Sequence, residues 1–279
     1  MPAYLSCRPS LRTAGSAADS PSKGIGWQAV RVVASFATSV VWPAPRPTAA
    51  QVLVCFSFCG GGTTAFRPWA NALSPDVDLA LVCYPGRERR IVEPLAQTWT
   101  DLMDDVLASV RSIAHRPYVL CGHSLGAWVA FEVAVAAERG GFEPPRALVV
   151  SASNPPTAAP QERVMSPTAN DPDEVLLDWM RREGQLPEIV IADPGLRGLA
   201  LDLFRGDKRA AATYEFTPGS TVRAPMQVFS GAEDTVIWDA EGWRAHAAGD
   251  YRHDRLAGGH FYTPEIWAQF PQQIAALAS

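Results

Sequence analysis

The chain has 279 residues, 47% of them hydrophobic, and a formal charge of −5, which is material for one large α/β domain with insertions. The first 46 residues carry a net +4, so the remainder is near −9. That balance excludes general nucleic-acid binding, which needs basic surface to neutralise phosphates.

Residues 1–26 are rich in Ser, Arg and Gly and read as disordered. "WQAVRVVASFATSVVW" (27–42) is more apolar, but Arg31 interrupts it and no small-x-small cleavage site follows. It reads as neither a signal peptide nor a membrane span. Residues 1–41 are therefore expected to be an extension that the folded domain, 42–279, does not need.

From Gln51 the pattern is regular. "VLVCFSF" (52–58), "DLALVCY" (78–84), "PYVLCG" (117–122), "RALVVSAS" (146–153) and "APMQVFSG" (224–231) are predicted strands, and "DYRHDRLAG" (250–258) an edge strand. Predicted helices cover 65–73, 98–114, 125–139 and 265–278, the last broken or bent at Pro271. Strands alternating with helices predict a mostly parallel central sheet covered by helices on both faces. Between about 153 and 223 the rhythm breaks into short helical pieces at 173–184, 193–206 and 207–216, an insertion expected to form a lid. The five cysteines show no metal-ligand spacing. Cys55, Cys83 and Cys121 read as buried, reduced thiols, which suits a cytoplasmic location.

One junction carries the chemistry. Gly122-His123-Ser124-Leu125-Gly126 joins the apolar strand 117–122 to an Ala-rich helix. Gly-x-Ser-x-Gly at a strand-to-helix turn is the nucleophile elbow: the turn strains the serine backbone, and the flanking glycines remove the clashes. The helix then points its positive N-terminus at the place where negative charge develops. A serine nucleophile needs a base, and the base needs an acid. Among five histidines, His115 precedes a strand, His123 lies inside the elbow, His246 in a helical run and His253 in the edge strand. His260, in "AGGHFYT" after the last strand, is the expected base. Asp234, in the loop after the strand 224–231, is the expected acid, with Glu233 its adjacent rival and Asp239 farther on. The order Ser124…Asp234…His260 is that of α/β-hydrolases. The oxyanion donors are expected to be the backbone N–H of Leu125 and one from "FCGGGTT" (58–64), at Cys59 or Gly60, with Cys59 preferred. That loop lacks the Gly-Lys-Ser/Thr and Gly-x-Gly-x-x-Gly patterns of nucleotide sites.

Taken together, "FRPWA", "YPGRERR", "GHSLGAWVAFEVA", "SASNPP", "FRGDKRAAATYEF", "FSGAEDTVIWDAEGWRAH" and "GGHFY" resemble, in order, the type II thioesterases, stand-alone editing enzymes of polyketide and nonribosomal peptide assembly lines. The resemblance covers 42–279 and carries the triad onto Ser124, Asp234 and His260. It departs at Phe58-Cys59, where the family often has His-Ala, which changes the pocket rim while sparing backbone donation. Some relatives carry a cysteine nucleophile and transfer acyl groups; Ser124 favours hydrolysis. The resemblance implies an α/β-hydrolase fold with a helical lid, acting as a monomer without metal or organic cofactor. Its implied substrate is an acyl group on the phosphopantetheine arm of an acyl or peptidyl carrier protein. Three rivals stand beside it: a dedicated product-release thioesterase, a general carboxylester hydrolase, and an inactive binding module. "GRERR" (Arg87, Arg89, Arg90) and "RGDKR" (Arg205, Lys208, Arg209) are candidate basic patches for an acidic carrier. Trp128, Trp179, Met180 and Phe204 are candidate acyl-chamber residues.

Overall fold

The computed structural model describes residues 39–156 and 166–278. Seven strands form one sheet in the order β1-β3-β2-β4-β5-β6-β7. They are β1 (Val40–Val41), β2 (Gln51–Phe56), β3 (Val77–Val82), β4 (Tyr118–His123), β5 (Ala147–Ser151), β6 (Met226–Gly231) and β7 (Tyr251–Leu256). β2 through β7 pair in parallel; β1 alone runs antiparallel, against β3. The inner strands β2 to β6 are buried almost throughout because both of their faces are covered, whereas the edge strand β7, YRHDRL, is polar and only partly buried.

The period-2 alternation sorts side chains into two cores. Val52, Val54 and Phe56 join one that includes α1 (Trp99–Arg111) and α2 (Leu125–Ala136). Leu53 and Cys55 join the other, under the 3-10 helix Thr63–Asn71 and the C-terminal segment, with Trp69, Phe270 and Ile274. Helix α1 starts at a reciprocal cap: Thr98 Oγ1 accepts from the Asp101 N–H, and the Asp101 carboxylate accepts from the Thr98 N–H. Of the two outcomes expected at Pro271, the C-terminal helix is broken rather than bent. α6 (Pro264–Gln269) stops before Pro271, and two 3-10 turns follow, since proline has no N–H to continue the ladder.

In the insertion, α3 (Asp173–Arg182), α4 (Glu188–Ala192) and α5 (Pro194–Ala212) are described. The two pieces expected at 193–206 and 207–216 are one helix. Asp193 caps its start by accepting from Leu196 N–H, with Pro194 at the first position. The helix runs through Gly206, where a Cβ would press on the Leu95 side chain at 2.7 Å. Among the described residues, no helix is long and apolar enough to cross a membrane.

The boundary at residue 42 needs correction. The expectation for residues 1–38 lies outside the described residues, but Val40 and Val41 belong to the sheet, buried to 7% and 4% exposure. The Ser109 hydroxyl donates to the Ser39 hydroxyl at 2.9 Å. A chain beginning at residue 43 loses two buried valines and should be destabilised by about 3 kcal/mol or more relative to a chain beginning at Ser39. Urea unfolding of the two checks this; equal midpoints would contradict it.

Candidate active site

At the C-terminal ends of the strands, β4 turns into α2 within one residue. Ser124 has φ 55° and ψ −118°, left-handed backbone that a non-glycine residue adopts only under constraint. The constraint is packing. A Cβ on Gly122 would lie 1.9 Å from the Gly126 carbonyl oxygen, and one on Gly126 would lie 2.2 Å from that of Phe56. Only glycine lets α2 approach the sheet this closely. The Ser124 N–H donates to Ser151 O at 2.8 Å, tying the elbow to β5. Leu125 opens α2, so its N–H has no acceptor within the helix.

Glycines also join the loops carrying the acid and base. A Cβ on Gly231 would lie 2.2 Å from Gly259 O and 2.6 Å from Gly258 O, and the Glu233 N–H donates to Gly258 O at 2.9 Å. The result is a buried pair: His260 Nδ1 donates to Asp234 Oδ2 at 2.9 Å, with 2% and 0% side-chain exposure. The N–H groups of Val236 and Ile237 donate to Asp234 Oδ1 at 2.8 and 3.3 Å, so both carboxylate oxygens are engaged. A carboxylate only accepts, which places the imidazole proton on Nδ1 and leaves Nε2 as the free base. That Nε2 is buried with no hydrogen-bond partner among the described residues.

The rivals serve elsewhere. Glu233 is exposed, and Asp239 Oδ1 caps the turn at Gly242 N–H. His115 is exposed ahead of β4, and His246 contacts Ser220 O. His253 lies between Ser230 and Glu241. His123 packs its ring 5.4 Å from that of His260 and shares a hydrogen bond with Ser151, whose hydroxyl meets Tyr262 Oη at 2.7 Å. Burial, reinforced by His260, holds His123 well below the usual imidazole range, so it packs as a neutral ring.

In the loop after β2, Gly60 N–H is taken by Asp207 Oδ2 at 2.7 Å, and Gly61 N–H by Phe58 O at 2.9 Å. This favours Cys59 over Gly60 as the second donor. The Cys59 thiol is buried and pushed up to about 12 by that burial, so only its main chain is suited to the chemistry.

Both basic patches require correction. Arg87 is 2% exposed and paired with Asp207; Arg90 is 6% exposed and paired with Glu93 and Asp105. Arg205 donates to Ala169 O and Asp171 O and pairs with Asp173; Lys208 donates to the Ser166 hydroxyl. Arg89 and Arg209 remain exposed. Of the chamber candidates, Trp179 reaches the site, its ring 6.4 Å from His260 and 5.4 Å from Phe204. Met180 is core, and Trp128 stacks near Tyr214 with its indole N–H on Asn154 O. Arg87 and Asp207 are the residues sequence reasoning misjudged. The available signal was an acid on the buried stripe of α5, in step with Leu201, Phe204 and Ala210, which demands a partner.

The mostly parallel sheet, with the strand-to-helix elbow at Ser124 and the Asp234–His260 pair on loops at its C-terminal edge, is a fold of the α/β-hydrolase type. The thioesterase-domain family model matches residues 51–277, and the chain belongs to that family of thioester hydrolases. It is 31% identical over 234 residues to "Thioesterase PikA5" of Streptomyces venezuelae, an alignment spanning 83% of this chain and 82% of that one. It is 32% identical over 220 residues to "Probable cadicidin biosynthesis thioesterase" of Streptomyces griseus, covering 78% of this chain and 60% of that one. Among solved structures, the type II thioesterase BorB from the borrelidin cluster superposes with TM-score 0.72 at 34% identity, over 86% of this chain and 97% of that one. RedJ, of the Streptomyces coelicolor prodiginine pathway, gives 0.72 at 30% identity, over 82% and 92%.

His123 also sets a pH dependence. Its folded pKa is depressed, so the unfolded chain binds the extra proton. Stability is then full above the unfolded-state value of about 6.5 and lost as pH falls below it. Burial depresses His246 in the same direction. The unfolding free energy from urea titration should fall between pH 7 and 5 by up to about 1.4 kcal/mol per pH unit per histidine, less steeply in His123→Gln. An unchanged slope in that variant would contradict the assignment.

Proposed function

We propose that the protein is an editing thioesterase that hydrolyses acyl groups from the phosphopantetheine arm of acyl or peptidyl carrier proteins, with Ser124, His260 and Asp234 as its triad. The observation that supports this most is the buried His260–Asp234 pair, whose Nε2 has no hydrogen-bond partner among the described residues, on the same sheet edge as the strained Ser124.

In this reading Ser124 Oγ attacks the thioester carbonyl while His260 Nε2 takes its proton. Asp234 holds the ring and stabilises the imidazolium. The N–H groups of Leu125 and Cys59 bind the oxyanion. Collapse breaks the C–S bond, and the pantetheine sulfur leaves with the proton from His260. Water then attacks the acyl-serine with His260 again as base, releasing the acid and restoring Ser124. BorB is a type II thioesterase from the borrelidin biosynthetic cluster and RedJ a thioesterase from the prodiginine biosynthetic pathway, which supports a biosynthetic acyl thioester as the substrate. The internal pairing of Arg87, Arg90, Arg205 and Lys208 leaves Arg89 and Arg209 as the exposed members of the two basic runs for contact with an acidic carrier.

Hydrolysis of acetyl-, propionyl- and longer acyl-carrier proteins, followed by intact mass, tests the reading. Rapid release is expected from the wild type and none from Ser124→Ala; Asp234→Asn should lower kcat by about 10²- to 10⁴-fold. Cleavage of simple esters with no release from any carrier would discard the carrier assignment, and preference for one full-length chain would discard editing.

A further inference from the structure

The loop that carries Cys59 is gripped along its whole length. From the strand side, Tyr84 Oη donates to Ser57 O at 3.2 Å and Arg87 Nη1 donates to Gly61 O at 2.6 Å. Glu88 accepts from Thr64 N–H at 2.9 Å and from the Thr63 and Thr64 hydroxyls. From the insertion, Gln185 Nε2 donates to Cys59 O at 2.8 Å, and Asp207 Oδ2 accepts from Gly60 N–H at 2.7 Å. These last two bonds act on one rigid unit. The Cys59 carbonyl and the Gly60 N–H belong to the same planar peptide, so the insertion holds that plane at both ends. Gly60, at φ +75°, is packed so closely that a Cβ would lie 3.1 Å from Phe204 Cβ.

Asp207 is itself fixed by Arg87, through Nη1 to Oδ2 at 2.9 Å and Nη2 to Oδ1 at 2.5 Å. Both side chains are at least nine-tenths buried. Burial opposes the guanidinium charge, but the adjacent Asp207 carboxylate outweighs it and keeps Arg87 charged. A buried ion pair adds little net stability over apolar side chains of the same volume, because desolvation offsets its attraction. Its distinctive effect here is geometric: it aims two backbone groups of the loop, Gly60 N–H and Gly61 C=O.

We propose that Arg87 and Asp207 are positioning residues that build the oxyanion hole. They fix the 59–60 peptide and, through it, the direction of the Cys59 N–H. The hole is therefore complete only while helix α5 is seated, so closing of the insertion and assembly of the oxyanion site are one event. This rests on the reading of Ser124 as nucleophile and Cys59 as donor.

The test uses Asp207→Asn, Asp207→Ala and the charge-free pair Arg87→Met/Asp207→Leu in the full chain. Three readouts are kcat and KM on an acyl-pantetheine thioester, affinity for an alkylboronic acid that forms a tetrahedral adduct, and affinity for the uncleavable amide analogue. Losing one oxyanion donor costs about 10²- to 10³-fold, and a 1 Å misplacement about 10²-fold. The charge-free pair should stay folded, with kcat and boronate affinity both down about 10- to 100-fold and amide affinity within about threefold. Asp207→Asn, which keeps one acceptor, should fall between it and the wild type. A folded charge-free pair, or Asp207→Ala, with wild-type kcat and boronate affinity would overturn the proposal. So would equal losses in amide and boronate affinity, which signal general disruption. Ser124→Ala separates the two levels: if it still hydrolyses, the underlying reading fails, whereas an inactive Ser124→Ala beside fully active clamp variants discards the clamp alone.

Discussion

The close backbone approach at Gly122 and Gly126 is the constraint on which the rest of the site depends. A Cβ at either position would meet a carbonyl oxygen inside 2.3 Å, of Gly126 or of Phe56. Contact this tight between α2 and the sheet leaves one residue to reverse from strand to helix, and that residue takes φ 55°. The same contact sets the start of α2 against the carbonyls of Phe56 and Ser57. The helix N-terminus, with its unsatisfied N–H groups and positive field, therefore lies beside the loop proposed to supply the second oxyanion donor. One steric fact places Ser124, the helix dipole and the Cys59 loop together.

A second glycine contact works the same way at the same sheet edge, two strands along from β4. Gly231 at the end of β6 meets the carbonyls of Gly258 and Gly259, and Asp234 and His260 follow on the two touching loops. Backbone packing, which is stiff, sets the acid–base pair; the side chains add only the final 2.9 Å hydrogen bond. Non-glycine residues with positive φ at Glu88, Ser124, Ala152 and Tyr262 follow β3, β4, β5 and the base. Backbone strain thus collects at the reactive edge, where the surrounding sheet can hold it.

Much of this was legible in sequence because it is local. Apolar runs marked the inner parallel strands, the change from β-prone to Ala-rich residues around Ser124 marked the elbow, and the Gly-rich loop after the last strand marked His260. What was not legible depends on distant partners. Val40–Val41 is a two-residue strand with no period to read, and it exists because β3 offers an edge. Arg87 and Arg90 looked like surface charge; burial and acids at Asp207, 120 positions away, and Asp105 turned them inward. Glu233 and Asp234 are adjacent in sequence, and only the contact between their loop and Gly258 decides which carboxylate faces His260.

The account turns on Ser124 being the atom that takes the acyl group. The most direct measurement is rapid quenching of the protein with an acyl-pantetheine thioester, followed by peptide mapping by mass. The structure predicts one acyl adduct, on the peptide containing Ser124, that disappears as free acid forms. An adduct on another residue, or acid released with no adduct on Ser124 at any time, would contradict it.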